Sequence, residues 1–200
     1  SKAFCCKEIY RIANAEGLGV DVVSLGELYT AHCVDFPMDK VCFHGNNKSE
    51  KELRAALEYG VGRIVADNLP ELRQLNEIAG KMRKKAPVLL RIKPGIDAHT
   101  HDFIKTGKID SKFGLTIQLG AAMEGVKKAI ALPNIELLGF HCHIGSQILD
   151  ISPFAHAAEV VLDFIAQVKK ECGCEVSILN LGGGFGIHYT LEDDPDPYDA

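Results

Sequence analysis

Short apolar runs alternate with longer amphipathic stretches along this chain, and no other feature narrows the possible folds as much. Lys2–Phe4, Val20–Ser24, Lys40–His44, Arg63–Ala66, Val88–Ile92, Leu137–His143 and Glu175–Leu181 read as strands. Helix-length segments between successive strands imply crossovers, and crossovers imply a parallel sheet. The early strands recur about every 20 residues, the size of a minimal β/α unit. Seven such units are countable. A β/α barrel closes with about eight, whereas an open doubly wound sheet often uses about five or six. The expectation is therefore an α/β chain forming an incomplete TIM-type barrel of about seven units. One interval, from Val88 to Leu137, is long. It holds a polar insertion, Gly95–Ser111, then a helical stretch near Gln118–Leu132. Long insertions after a barrel strand usually carry function.

Helix boundaries have local signals. Ser49 and Glu52 form a capping box, Leu53, Ala56 and Leu57 give the apolar face, and Gly60 ends the helix. Ser152-Pro153 opens another helix, in which Phe154, Ala158, Val161, Leu162, Ile165 and Val168 recur at helical spacing. A third spans Leu69–Lys84, with lysines and Arg83 near the negative end of its dipole.

Composition excludes several classes. Of the 200 residues, 46% are hydrophobic and 24% charged, enough apolar surface for a folded core. No run approaches the ~18 apolar residues of a membrane span. The net charge of −5 argues against a nucleic-acid or anionic-membrane surface. Seven cysteines, an odd number without a C-x-x-C pair, read as reduced thiols in a cytoplasmic protein. The chain starts at Ser1 without Met and ends in an acidic, proline-containing tail, so it reads as a piece of a longer protein.

Polar residues and glycines gather where the strands end. Ser24, His44–Asn47, Arg91, His141, His143, Ser146 and Gly182–Gly184 all stand at or just after C-terminal strand ends. In a β/α barrel the active site occupies that face. Gly182-Gly183-Gly184-Phe185-Gly186 places four glycines in five residues after an apolar strand, which suits backbone amides closing on a phosphate. A dinucleotide fingerprint fits poorly, because Ile187 stands where its last glycine would. His141 and His143 share one strand face and could bind a metal with a third ligand from His44, His99, His101 or Asp21. An imidazole there could equally lie against a planar cofactor ring. Lys2 in an apolar segment reads locally as an edge lysine; in a barrel mouth its amine would be desolvated and nucleophilic. Asp21 and Arg91 are the other strand charges, and buried charges need partners or a ligand.

Taken together, these segments resemble the fold-type III pyridoxal-phosphate-dependent decarboxylases, within them the diaminopimelate decarboxylase family. The matching residues are Ser1–Phe4, Asp21–Leu28, Phe43–Lys48, Pro94–His101, Ser111–Gly114, His141–Gln147 and Asn180–Gly186, in the family's order over essentially the whole chain. The resemblance implies an alanine racemase-like barrel and a cytoplasmic carboxy-lyase that converts meso-2,6-diaminopimelate to L-lysine with pyridoxal 5'-phosphate. Lys2 would match the lysine that holds the cofactor aldehyde, and His143 the histidine stacked on its ring. Ser146 and Gly182, Gly183 and Gly184 would hold the phosphate, and Asp21 and Arg91 would support the pocket. No metal, nucleic acid or membrane is implied, and the full-length protein would be a homodimer.

The family's Glu-Pro-Gly-Arg and Cys-Glu-Ser segments and its C-terminal β-domain are not found in these residues and would lie beyond Ala200. Residues 1–200 would then be a partial cofactor-binding barrel, inactive alone. Alternatives are a related ornithine, arginine or carboxynorspermidine decarboxylase, a metal-dependent barrel hydrolase using His141 and His143, or a cofactor-carrying homologue without the decarboxylase apparatus.

Overall fold

Parallel pairing needs strands that are apolar on both faces, and the middle of the chain supplies them. The structure, a computed structural model, describes residues 1–96 and 113–195. Its strands are β1 Val20–Val22, β2 Val41–Phe43, β3 Arg63–Ala66, β4 Ala86–Lys93, β5 Leu115–Thr116, β6 Ile135–His141 and β7 Ile178–Asn180. Its α-helices are α1 Lys7–Ala15, α2 Leu25–His32, α3 Glu50–Tyr59, α4 Leu69–Lys81, α5 Ala121–Ala131 and α6 Ser152–Cys172. All the pairings are parallel, in the order β1-β2-β3-β4-β6-β7, with β5 joined to β4 beside this path. Successive β/α units laid side by side in this way make a partial β/α barrel.

Side chains alternate between the two faces of a strand. One face packs on the helices, through Phe43, Ile64, Leu90 and Phe140 from the strands and Leu53, Leu75, Val126 and Phe164 from the helices. Phe43 and Phe140 are wholly buried there, and truncating either to alanine would cost about 3–5 kcal/mol. The other, concave face carries a smaller cluster of Cys42, Val65 and Leu89, with Leu138 and Ile178 packed against it. A cavity of about 390 Å³ in the curl is lined from one sheet edge by Asp21 and Cys42 and from the other by Ile178 and Asn180.

Caps follow the sequence signals. The Ser49 hydroxyl accepts from the Glu52 amide and the Glu52 carboxylate accepts from the Ser49 amide, and α3 ends at Gly60. Ser24 and Asn68 cap α2 and α4 in the same way, each accepting from the amide three residues on. α4 stops at Lys81 rather than Lys84, because Arg83 turns to a positive φ of 54°.

One strand expectation is corrected. Lys2–Phe4 is not a strand: the Phe4 amide turns back to the Ser1 carbonyl, and Phe4 is exposed. Only Ser1 reaches the sheet, its nitrogen and hydroxyl donating to the Asp21 carbonyl at 2.8 and 2.9 Å. A three-residue run whose side chains stay exposed lacks the burial that would hold it extended along β1. Residues 97–112, which include most of the polar insertion with His99 and His101, lie outside the described residues.

Candidate cofactor site

Concave-face parity continues past the strand ends and decides which polar side chains meet. Asp21 pairs in register with Cys42, and His44 follows Cys42 by two residues. Arg91 follows Leu89 by two and pairs with His141, which pairs in turn with Asn180. His143 lies two beyond His141. Charged and imidazole groups thus gather over the small apolar floor of Cys42, Val65 and Leu89, at the C-terminal ends of the strands.

The floor is braced by an ion pair that sequence reasoning missed. Lys48 Nζ donates to the Gly45 and Val65 carbonyls at 2.6 and 2.7 Å and lies 2.8 Å from Glu71 Oε1. Both side chains are buried. Burial pushes the Glu71 carboxyl above its ordinary range, against the pull of the Lys48 charge. This clamp ties the loop after β2 to the end of β3 and to α4. No local signal marked it, because the acidic partner of Lys48 lies 23 residues further on (71 − 48).

Arg91 is fixed from two sides. Its Nη1 lies 3.3 Å from Asp67 Oδ1, and its guanidinium sits 4.6 Å over the Phe113 ring. The second Asp67 oxygen accepts from the Gly114 amide at 3.3 Å, so one buried carboxylate holds both Arg91 and the chain leading into β5. Asp67 was also missed; its signal was a carboxylate directly after an apolar strand.

Two histidines that look equivalent in sequence differ in surroundings. His141 is 4% exposed, and burial, then the charges of His44, Arg91 and His143, drop its pKa to about 3. It is a neutral imidazole packed edge-on against His44, with ring centres 4.8 Å apart. His143 stands at the rim against the glycine loop. A Cβ on Gly182 would come within 3.0 Å of His143 Nδ1 and 2.6 Å of the Cys142 carbonyl, and a Cβ on Gly184 would overlap the Gly145 carbonyl. Partial burial, then the Arg91 charge, lowers the His143 pKa; the Gly183 backbone opposes this, and the Lys2 and His44 charges add to it.

Glycine at 182 and 184 is required by φ values of +75° and +113° as well as by this close approach. Gly183 is exposed and has open space at its Cα. Ser146 is exposed beside the loop, where residues 145–148 pair with 184–187: the Ile148 amide donates to the Gly184 carbonyl and the Gly186 amide to the Ile148 carbonyl, at 2.9 and 2.7 Å. The loop is therefore a backbone surface with no room for side chains on its His143 flank and free access at Gly183. That is the shape a phosphate and its attached planar ring need.

Asp21 completes the group. Burial alone would raise its pKa, but the hydrogen bond and charge of the adjacent His44 hold the carboxyl below its ordinary range. The structure thus brings Asp21, Arg91, His143, Ser146 and Gly182–Gly184 to one end of the sheet, with Lys2 at the open edge beside β1. Among the described residues, the three-donor metal-type cluster is Asp21, Cys42 and His44, and it contains neither His141 nor His143.

The site is thus a glycine-rich backbone loop with an apposed imidazole at one end of a partial β/α barrel, a surface suited to a phosphorylated ligand. The family described as "Pyridoxal-dependent decarboxylase, pyridoxal binding domain" matches residues 1–199. The diaminopimelate decarboxylase of Bacillus methanolicus is 50% identical over 197 residues, covering 98% of this chain and 46% of its own length. That of Bacillus subtilis is 47% identical over 195 residues, covering 98% and 44%. Among solved structures, diaminopimelate decarboxylase from M. jannaschii superimposes with a TM-score of 0.85 at 40% identity, covering 93% of this chain and 43% of that one. The Helicobacter pylori enzyme complexed with L-lysine gives 0.84 at 31% identity, covering 96% and 48%. The chain belongs to the pyridoxal-dependent decarboxylase family, and its cofactor is pyridoxal phosphate. It spans about half the length of the curated relatives it matches. No helix among the described residues is long and apolar enough to cross a membrane.

Proposed function

We propose that this chain is the cofactor-binding barrel of a diaminopimelate decarboxylase, a carboxy-lyase that removes carbon dioxide from meso-2,6-diaminopimelate to leave L-lysine. What supports the proposal is the close approach of the Gly182–Gly184 loop to His143 at one end of the sheet, in a chain half identical to enzymes of that name. Bound pyridoxal phosphate supplies the electron sink that makes loss of carbon dioxide from an amine-bearing carbon feasible.

The chain's own residues do the rest. Amides of Gly183 and Gly184, with the Ser146 hydroxyl, grip the phosphate, while the Gly182 amide donates to Asn180 Oδ1 at 2.8 Å and holds the loop in place. His143, whose proton affinity is lowered, offers a largely neutral ring to lie flat on the cofactor. Lys2, at the open edge, gives the amine that holds the cofactor aldehyde and must shed a proton to do so. Asp21, kept ionised, and Arg91, clamped by Asp67, fix the polar wall of the pocket. The longer protein is proposed to act as a cytoplasmic homodimer.

The test is carbon dioxide release by purified protein carrying this chain, loaded with pyridoxal phosphate. Release from meso-diaminopimelate, with ornithine and arginine turned over at least about a hundredfold more slowly, is the expected result. Preference for ornithine or arginine would overturn the substrate assignment.

A further inference from the structure

The Ser146 segment and the glycine loop are joined by a side chain of unusual geometry. Gln147 holds a φ of +55°, in the left-handed region that a residue with a Cβ enters only at a cost. Its side-chain amide meets a single residue across the loop. Nε2 donates to the Ile187 carbonyl, and Oε1 accepts from the Ile187 amide at 3.2 Å. We propose that Gln147 is a positioning residue for the cofactor phosphate, a clasp that holds the Ser146 segment against the glycine loop. The inference rests on the reading of that loop as the phosphate cradle.

The backbone ladder shows what the clasp adds. Ile148 donates its amide to the Gly184 carbonyl and accepts at its own carbonyl from the Gly186 amide. Ile187, the next residue along, would then have both backbone groups left to water. A glutamine amide carries a donor and an acceptor side by side, as a peptide group does, and takes both. The clasp therefore extends the pairing by one step past the point where main chain reaches main chain. It adjoins the cradle on each side, since Ser146 precedes Gln147 and Gly183-Gly184 precede the paired run. On the other flank of Ser146, the Gly145 carbonyl lies where a Cβ on Gly184 would stand, 2.0 Å away. Ser146 is thus offered from a segment fixed before and after it, which reduces the ordering that anion binding would otherwise require. Asparagine tolerates the left-handed backbone but is one methylene too short to reach Ile187, and glycine adopts that backbone freely with no side chain to clasp.

Purified protein carrying this chain, freed of cofactor and titrated with pyridoxal phosphate by fluorescence, gives the test, with Gly184→Val as the reference for the cradle itself. Gln147→Asn and Gln147→Gly should each raise the dissociation constant at least about tenfold, as loss of a paired set of hydrogen bonds implies. Each should also shift or broaden the phosphorus NMR resonance of the bound phosphate, with the far-ultraviolet circular dichroism unchanged. Wild-type affinity in either variant, beside a weakened Gly184→Val, would overturn the clasp and leave the cradle standing. A phosphorus resonance unchanged in both variants would overturn it as well. Wild-type affinity in Gly184→Val would remove the cradle reading, and the clasp with it. Should Gln147→Asn fail to fold, Gln147→Gly, whose backbone meets no strain at that φ, decides alone.

Discussion

The middle of the sheet and its rim are built from one chain on opposite terms. In β2 every residue is buried, and Ile64–Ala66 and Val88–Leu90 match it. At the edges, β1 has one buried residue and β7 none, while Lys2, His143, Gly182 and Gly183 are exposed. The middle has satisfied its backbone groups and filled both faces, so it has nothing left to offer a ligand. The rim keeps amides, an imidazole and an amine available because pairing and packing stop there. Stability and binding are thereby assigned to different residues of the same strands, and substitutions can separate them.

The largest effect is expected in the middle. Lys48→Met would strand the Glu71 carboxylate in the interior and cost about 3–5 kcal/mol in denaturant unfolding. Adding Glu71→Leu should recover much of that loss, because an apolar pair removes the buried charge altogether. A double variant no more stable than Lys48→Met would show that the clamp acts through its carbonyl contacts instead.

Next comes pH. His141 has a pKa of about 3 in the fold against an ordinary 6.5, so between these values the unfolded chain holds the extra proton. Its contribution is present above about pH 6.5 and is lost as pH falls, at up to about 1.4 kcal/mol per pH unit. Unfolding measured at pH 6.5 and pH 5 should show about 1.6 kcal/mol lost by this route, and His141→Gln should flatten that limb. Equal slopes in both proteins would contradict the burial argument.

The glycine loop sharpens the contrast. Gly184→Val forces a side chain into the Gly145 carbonyl from a positive φ and should cost about 1–3 kcal/mol, with cofactor affinity down at least about tenfold. Gly183→Ala meets open space and should change stability by less than about 0.5 kcal/mol. At the rim, His143→Ala should leave stability within about 0.5 kcal/mol while weakening cofactor binding and turnover more than His141→Ala does. The reverse order, read by fluorescence titration of pyridoxal phosphate and by initial rates, would exchange their roles.

What could be read from sequence followed the same division. Strands β2, β3, β4 and β6 were legible because continuous apolar runs of that length admit little else, and the α3 capping box was legible because its partners are three residues apart. The two-residue β5 carries too little pattern to detect, and Lys2–Phe4 reads as a strand although its side chains find no burial in the described structure. Site residues at strand ends were legible by position, which a parallel β/α order makes meaningful. Their supports were not: Lys48 meets Glu71, and Arg91 meets Asp67, only after separate β/α units are laid side by side. His44 and His141 likewise meet across the curl, and no local spacing encodes that contact.

The central claim is that the rim, with Lys2 at its open edge, holds the cofactor. Borohydride reduction of the pyridoxal-phosphate-loaded protein, followed by peptide mapping, tests it most directly. The account predicts one covalently fixed pyridoxyl group, on Lys2. Fixation on the buried Lys48, on Lys93 or on Lys112, with Lys2 unmodified, would contradict it.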